Sequence, residues 1–358
     1  MKKKILLVSD TKNWGGWKRA EMIKKYLSDE FNFTLMDSKE YNNYELKSTM
    51  GSFSTKDANE FCSQSKDKDF MMIGDFKKWL NESKTDFDYD LIYFLFHTML
   101  LKKCVKRTLD RGMKVVTIVT VYPTIRKGFV RSGAGRGAGT IVSATSKFID
   151  QANKCKAIFA NNLKTLEDLK SIYKKKTFYV PRGVDSEVFF PIRDFKEKPH
   201  PQFTVAFVGK PNPEKGLKSH VIPACQMAGV KLITNERNYT DALPQGAMRR
   251  FYNSADVYIV ASTMDGTPNT ALEAASCGLP IISNEIGNMP EFIKKGVNGF
   301  LIPLDVDKYT KRLKWMKNNQ EKAWKMGQEA RQTVLDGWTW EQTTKNERIA
   351  FRKVINEM

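Results

Sequence analysis

DVYIVASTMDGTPNTALEAASCGLPIISNEIGNMPE occupies residues 256–291, and its reading decides the fold. It opens on an apolar, β-branched run, DVYIV (256–260), turns at Gly-Thr-Pro-Asn into an alanine-rich helix, and returns to PIIS (280–283). Short, near-continuously apolar strands on either side of a helix describe one crossover of a parallel sheet covered on both faces. Working outward, FTVAFV (203–208) and VKLIT (230–234) precede this unit and FLIP (300–303) follows it. An earlier series repeats the pattern: ILLV (5–8), LIYFLF (91–96), VVTIVTV (115–121), AIFA (157–160) and TFYV (177–180). The alternation predicts an α/β protein with two Rossmann-like, doubly wound parallel-sheet domains facing a cleft. Residues 185–202, with Pro191, Pro199 and Pro201 among mixed charges, read as a linker. A first domain over 1–184 and a second over 203–338 follow, with a helical pattern again over 339–358.

At 358 residues the chain is too long for one ordinary core and suits two. No apolar run approaches the roughly 20 residues that cross a bilayer, and Ile5–Val8 is too short for the core of a signal peptide. Five cysteines (Cys62, Cys104, Cys155, Cys225, Cys277) form no CxxC pair or metal-ligand spacing and read as reduced thiols of a cytoplasmic protein. The net charge of +19 is uneven: residues 101–180 hold 18 Lys and Arg against 4 Asp and Glu. Such an excess favours a polyanionic partner, nucleic acid or an anionic membrane surface, although solvated helix faces account for many of the lysines.

In open parallel sheets ligands bind beyond the carboxyl ends of the strands, so the loops there are the places to seek chemistry. Asp265 and Glu273, with seven residues between them, bracket the turn Gly266, Thr267, Pro268, Asn269, Thr270. A turn opening a helix presents free N–H groups and the positive dipole end, which suit a diphosphate. An acid in the helix suits ribose hydroxyls, and one before the turn suits hydroxyls of a transferred sugar. Taken singly, Asp265 reads as a helix cap and Glu273 as a surface residue. FVGKPNPEKGL (207–217) places Lys210 after Gly209 and Lys215 before Gly216, two cations able to neutralise a leaving diphosphate. Alone, that segment reads as a β-turn with solvated lysines. Trp14, Gly15, Gly16 and Trp17 follow the first strand; the glycines admit a ligand to the backbone and the tryptophans offer stacking surface.

The stretch from Asp265 to Glu291 resembles the donor-site signature of retaining glycosyltransferases of family 4, on the GT-B fold. Glu273, Gly278, Pro280, Gly287, Pro290 and Glu291 match it, and Asp265 stands where that family usually has glutamate. Lys210 stands in the arginine place of a Gly-Arg-x4-Lys-Gly element, trading a bidentate fork for a point charge. YVPRGVDSEVFFP (179–191) and DGWTWEQ (336–342) extend the likeness over nearly the whole chain, thinly between 30 and 110; the second is similar to the segment before the family's final crossover helix, which implies that 339–358 packs back on the first domain. The resemblance implies transfer from a nucleoside diphosphate sugar, a UDP-sugar being the expected co-substrate, with retention of configuration. Lys210, Lys215 and Asp265 become catalytic candidates, and no further cofactor is expected.

Where the family commonly presents a histidine after the strand at 115–121, this chain has Tyr122, the candidate replacement. His97, after the strand at 91–96, is a second candidate to face the cleft or a structural histidine. Arg126, Lys127, Arg131 and Arg136 lie in a glycine-rich basic loop suited to an acceptor polyanion. With no amphipathic anchor accompanying them, nucleic acid, as hydroxylated bases in DNA, is slightly favoured over a lipid-linked or teichoic acceptor at a membrane surface. The same residues leave open a non-catalytic nucleotide-sugar or nucleic-acid binding protein. The Asp-x-Asp triplets at 67–69, 86–88 and 305–307 are poorly placed for a metal-bound nucleotide, and no essential metal is expected.

Overall fold

The structure, a computed structural model, describes residues 1–9, 15–41, 89–120, 130–131, 141–142, 145–173, 176–192, 202–236 and 243–356. The chain divides into two compact units, one comprising Met1–Ile118 and Val130–Ala157 with Met358, the other Val119–Phe129 and Ile158–Glu357. Two sheets carry the fold, each with the strands and crossovers of a Rossmann-like layer.

The first sheet has the order β2-β1-β3-β4-β7-β8, built from Lys3–Ser9 (β1), Phe31–Asp37 (β2), Leu91–Phe94 (β3), Val115–Val119 (β4), Ala157–Ala160 (β7) and Lys176–Tyr179 (β8). A separate two-stranded ribbon pairs Val130–Arg131 (β5) with Ile141–Val142 (β6). β1 pairs in parallel with β2 on one side and β3 on the other. Ile5 to Val8 are wholly buried, which is why that run carries no polar alternation.

The second sheet has the order β10-β9-β11-β12-β13, from Thr204–Gly209 (β9), Lys231–Glu236 (β10), Val257–Val260 (β11), Ile281–Ser283 (β12) and Gly299–Leu301 (β13). Its strands divide their side chains by alternation, as a pleated sheet demands. Ala206, Val208, Tyr258, Val260 and Ile281 enter a core with helices Asn269–Ser276 and Gln320–Gly337. Val205, Phe207, Val257, Ile259 and Ile282 face the opposite way, toward helices Ile222–Ala228 and Val306–Asn318. Two apolar cores on one sheet are the physical content of double winding.

A break at 338–339 separates helix Gln320–Gly337 from helix Trp340–Asn356. Its cause is a backbone clasp: Val184 N–H donates to Trp338 O at 2.9 Å, and Trp340 N–H to Val184 O at 3.2 Å. Phe351 of the last helix then packs its ring 6.1 Å from that of Phe159 on β7.

Candidate functional site

The site is assembled at the carboxyl ends of β9, β11 and β12, within the second unit. After Gly209 and Lys210, Asn212 caps the short turn Pro213–Lys215 by accepting from Lys215 N–H at 3.2 Å. Gly216 then adopts φ 71°, and a Cβ there would meet the carbonyl oxygen of Ala261 at 2.1 Å. Only glycine permits this turn to lie directly on the chain leaving β11. Thr263 N–H donates to Glu214 O at 2.8 Å and ties the two loops together. Across them Lys215 Nζ reaches Asp265 Oδ2 at 2.6 Å, their side chains 24% and 16% exposed. Two residues chosen separately from the sequence thus form one ion pair.

The turn Gly266–Pro268 is buried, and helix Asn269–Ser276 begins after Pro268 with no side-chain cap. Asp265 therefore does not cap it. The amide N–H groups of Gly266, Thr267, Asn269 and Thr270 have no hydrogen-bond partner among the described residues. Amides so oriented at a helix opening carry positive potential. Beneath them Tyr258 holds the first helical turn, its hydroxyl 2.6 Å from Thr270 Oγ1 and 3.2 Å from Val208 O. One turn further, Tyr252 donates to Glu273 Oε2 at 2.6 Å. Tyr252 is wholly buried and packs edge-on against Tyr258, so the Glu273 carboxylate is fixed from below.

Glu291 closes the other side. Its Oε2 accepts from Tyr179 OH at 2.5 Å and its Oε1 from Leu163 N–H at 2.6 Å. Burial raises its carboxyl above the ordinary carboxylate range, and those two donors pull the other way. Gly287, at φ 54°, lies so close to the turn that a Cβ would meet Gly266 O at 2.6 Å.

Residues 192–333 of this chain match the family described as Glycosyl transferases group 1. Over those residues the chain is similar to group 1 glycosyl transferases. Among similar proteins, D-inositol 3-phosphate glycosyltransferase of Kribbella flavida is 25% identical over 158 residues, 44% of this chain and 37% of that protein. The chain spans less than two-fifths of the length of the curated relatives it matches. Sucrose-phosphate synthase from Thermosynechococcus elongatus superposes with a TM-score of 0.73 at 12% identity, over 100% of both chains. HepE of Anabaena in complex with UDP-glucose gives 0.64 at 13%, over 98% of this chain and 99% of that one. The fold is GT-B, as the strand pattern and the resemblance led us to expect.

The Lys210–Gly216 and Asp265–Glu273 segments both fall inside the matched domain. The first-sheet candidates stand outside it. Gly15 and Gly16 begin helix Gly15–Leu27 and belong to its first turn. The Trp17 indole donates to Glu21 Oε1 at 3.0 Å, one turn along the same helix. His97 is 5% exposed, between the rings of Phe96 and Phe148, and its Nδ1 has no partner among the described residues. Burial brings its pKa down to about 4, so the ring is neutral at pH 7. Arg131 lies on β5, whose backbone alone is described; Trp14, Tyr122, Arg126, Lys127 and Arg136 lie outside the described residues. Of the Asp-x-Asp triplets only 305–307 is described, and there Asp305 caps helix Val306–Asn318, accepting from Lys308 N–H at 2.9 Å.

Sequence reading passed over Tyr252, Asn161 and Asn162. The asparagines are 4% and 2% exposed and bond to Thr267 and Gly266. Their signal was a pair of amides immediately after the apolar run AIFA, at the carboxyl end of a strand.

Proposed function

We propose that the protein transfers a sugar from a nucleoside diphosphate sugar, a UDP-sugar first among candidates, to an acceptor hydroxyl. The observation that carries this reading is the Gly266–Thr270 turn, with four amides that have no partner among the described residues, set beside the Lys215–Asp265 ion pair and the anchored Glu273. The diphosphate rests on the amides of Thr267, Asn269 and Thr270 at the helix opening, with Lys210 and Lys215 adding positive charge, and the ribose meets Glu273. Before the donor arrives, Asp265 neutralises Lys215. An incoming diphosphate competes for the ammonium and frees the carboxylate for the hydroxyls of the sugar.

As the bond from anomeric carbon to phosphate oxygen breaks, the lysines and amides take up the charge growing on the diphosphate. This needs no metal ion. The acceptor hydroxyl attacks on the face the diphosphate leaves, which also receives its proton, so configuration is retained. In this reading residues 1–184 and the helix over 339–358 serve the acceptor, residues 203–338 hold the donor, and 185–202 link them. The charge excess between 101 and 180 supports a polyanionic acceptor, with Arg126, Lys127, Arg131 and Arg136 on its backbone and hydroxylated bases in DNA as the first candidates.

A coupled diphosphate-release assay over a panel of nucleotide sugars tests the donor half, with release expected from one of them. Donor binding without release or transfer would make this a non-catalytic binding protein, and neither binding nor release would overturn the reading. For the acceptor, duplex DNA is expected to bind with affinity falling steeply as salt rises, and to be lost when those four residues are neutralised. Binding to anionic vesicles but not to DNA would move the acceptor to a membrane surface.

A further inference from the structure

The donor turn does not hold itself in place. Asn162, which ends the β7 loop, uses its whole amide. Its Oδ1 accepts from Thr165 N–H at 2.8 Å, capping helix Leu163–Ile172. Its Nδ2 donates to Gly266 O at 3.0 Å and to Asn161 Oδ1 at 3.1 Å. Asn161 Nδ2 in turn donates to Thr267 Oγ1 at 2.9 Å. All of these residues belong to the second compact unit, and Asn161, Asn162 and Thr267 are at most 8% exposed. The chain between the two ends of the network is more than a hundred residues long.

Peptide geometry gives this network a direction. In a planar trans peptide the N–H points opposite to the preceding C=O. Once Asn162 holds the Gly266 carbonyl, the Thr267 N–H is turned away from the asparagines. That N–H is one of the four turn amides without a partner among the described residues. Asn161 fixes the Thr267 side chain at the same time, and Gly266 cannot retreat: a Cβ there would lie 1.4 Å from Thr120 O. Buried side-chain hydrogen bonds of this kind set geometry because breaking one leaves a carbonyl desolvated and unpaired.

We infer that Asn161 and Asn162 are positioning residues for the donor turn, aiming its free amides at the diphosphate while the same Asn162 side chain caps the neighbouring helix. The inference rests on the proposed donor site, and it adds residues that touch neither substrate nor product.

Asn162→Asp separates the two duties. An aspartate caps a helix as well as asparagine does, but it cannot donate to Gly266 O or to Asn161. Hydrogen exchange of the ligand-free protein is the first readout. The amides of Ala271 and Leu272, which bond to Pro268 O at the end of the turn, should exchange about tenfold faster in Asn162→Asp, while helix Leu163–Ile172 keeps wild-type protection. Kinetics with UDP-glucose or GDP-mannose, whichever the wild type turns over, form the second. KM should rise about tenfold with kcat changed less, from the loss of one such hydrogen bond. Thr267→Val should do the same, and Thr267→Ser, which keeps the hydroxyl, should restore wild-type values. Unchanged exchange at the turn, or equal loosening of the turn and the capped helix, would overturn the inference and leave the donor site standing. A wild-type protein that neither binds nor turns over either sugar nucleotide would remove the donor reading itself, whatever the exchange shows.

Discussion

His97 and Asp265 occupy equivalent places in the two sheets, each just beyond the carboxyl end of a buried parallel strand, β3 in one case and β11 in the other. Their surroundings are opposite. His97 sits in an aromatic sleeve that strips its charge, whereas Asp265 lies 2.6 Å from the Lys215 ammonium. The strand ends of a doubly wound sheet supply position only. Whether such a position works on an ionic ligand is decided by the second group brought to it, a phenyl ring or an ammonium.

The sharpest way to break the contrast is Gly266→Ala. The added carbon would fall 1.4 Å from the Thr120 carbonyl, a backbone atom that cannot rotate aside. We expect a loss on the order of 4 kcal/mol in thermal or denaturant unfolding, beyond usual overpacking, or failure to fold. Gly246→Ala, where nothing lies within 4 Å of the added carbon, is the control and should be silent.

Next comes Lys215→Ala, which should lower diphosphate release about a hundredfold or more, roughly 3 kcal/mol of transition-state stabilisation. Normal turnover in this variant would dissolve the charged half of the comparison. Lys215→Arg should retain part of the activity.

The neutral half is tested by acid. The folded state holds His97 near 4 against an ordinary value of 6.5, so the unfolded chain binds the extra proton first. Stability from the neutral ring is therefore complete above about pH 6.5 and declines as pH falls toward 4, by up to about 3 kcal/mol. Denaturant midpoints of wild type and His97→Phe between pH 7 and pH 4 should diverge by that amount; parallel curves would refute the sleeve. The smallest effect is expected from Tyr252→Phe, which removes the hydroxyl that anchors Glu273. Donor KM should rise about fivefold, near 1 kcal/mol, with kcat nearly unchanged.

These tests also mark what was legible beforehand. The apolar runs announced both sheets because their strands are buried on two faces and so carry no polar residues to blur the pattern. Asp265 and Glu273 could be picked out because their spacing and the turn between them are local. That Lys215 would meet Asp265 could not, since a separation of 50 positions carries no record of distance. Asn161 and Asn162 were harder still: a pair of amides looks like any loop until the chain returns, about a hundred residues later, to put Gly266 and Thr267 against them. Gly15 and Gly16, singled out after the first strand, begin helix Gly15–Leu27.

The glycines around the turn have a consequence for how this protein can diverge. Gly216, Gly266 and Gly287 bring main chain directly onto main chain, at Ala261, Thr120 and Gly266, leaving no space for even a methyl group. Mutation cannot explore new ligand preferences through those three sites. Innovation must come instead from bordering side chains such as half-buried Met264 and exposed Glu285, which are free to vary while the frame beneath them stays constant.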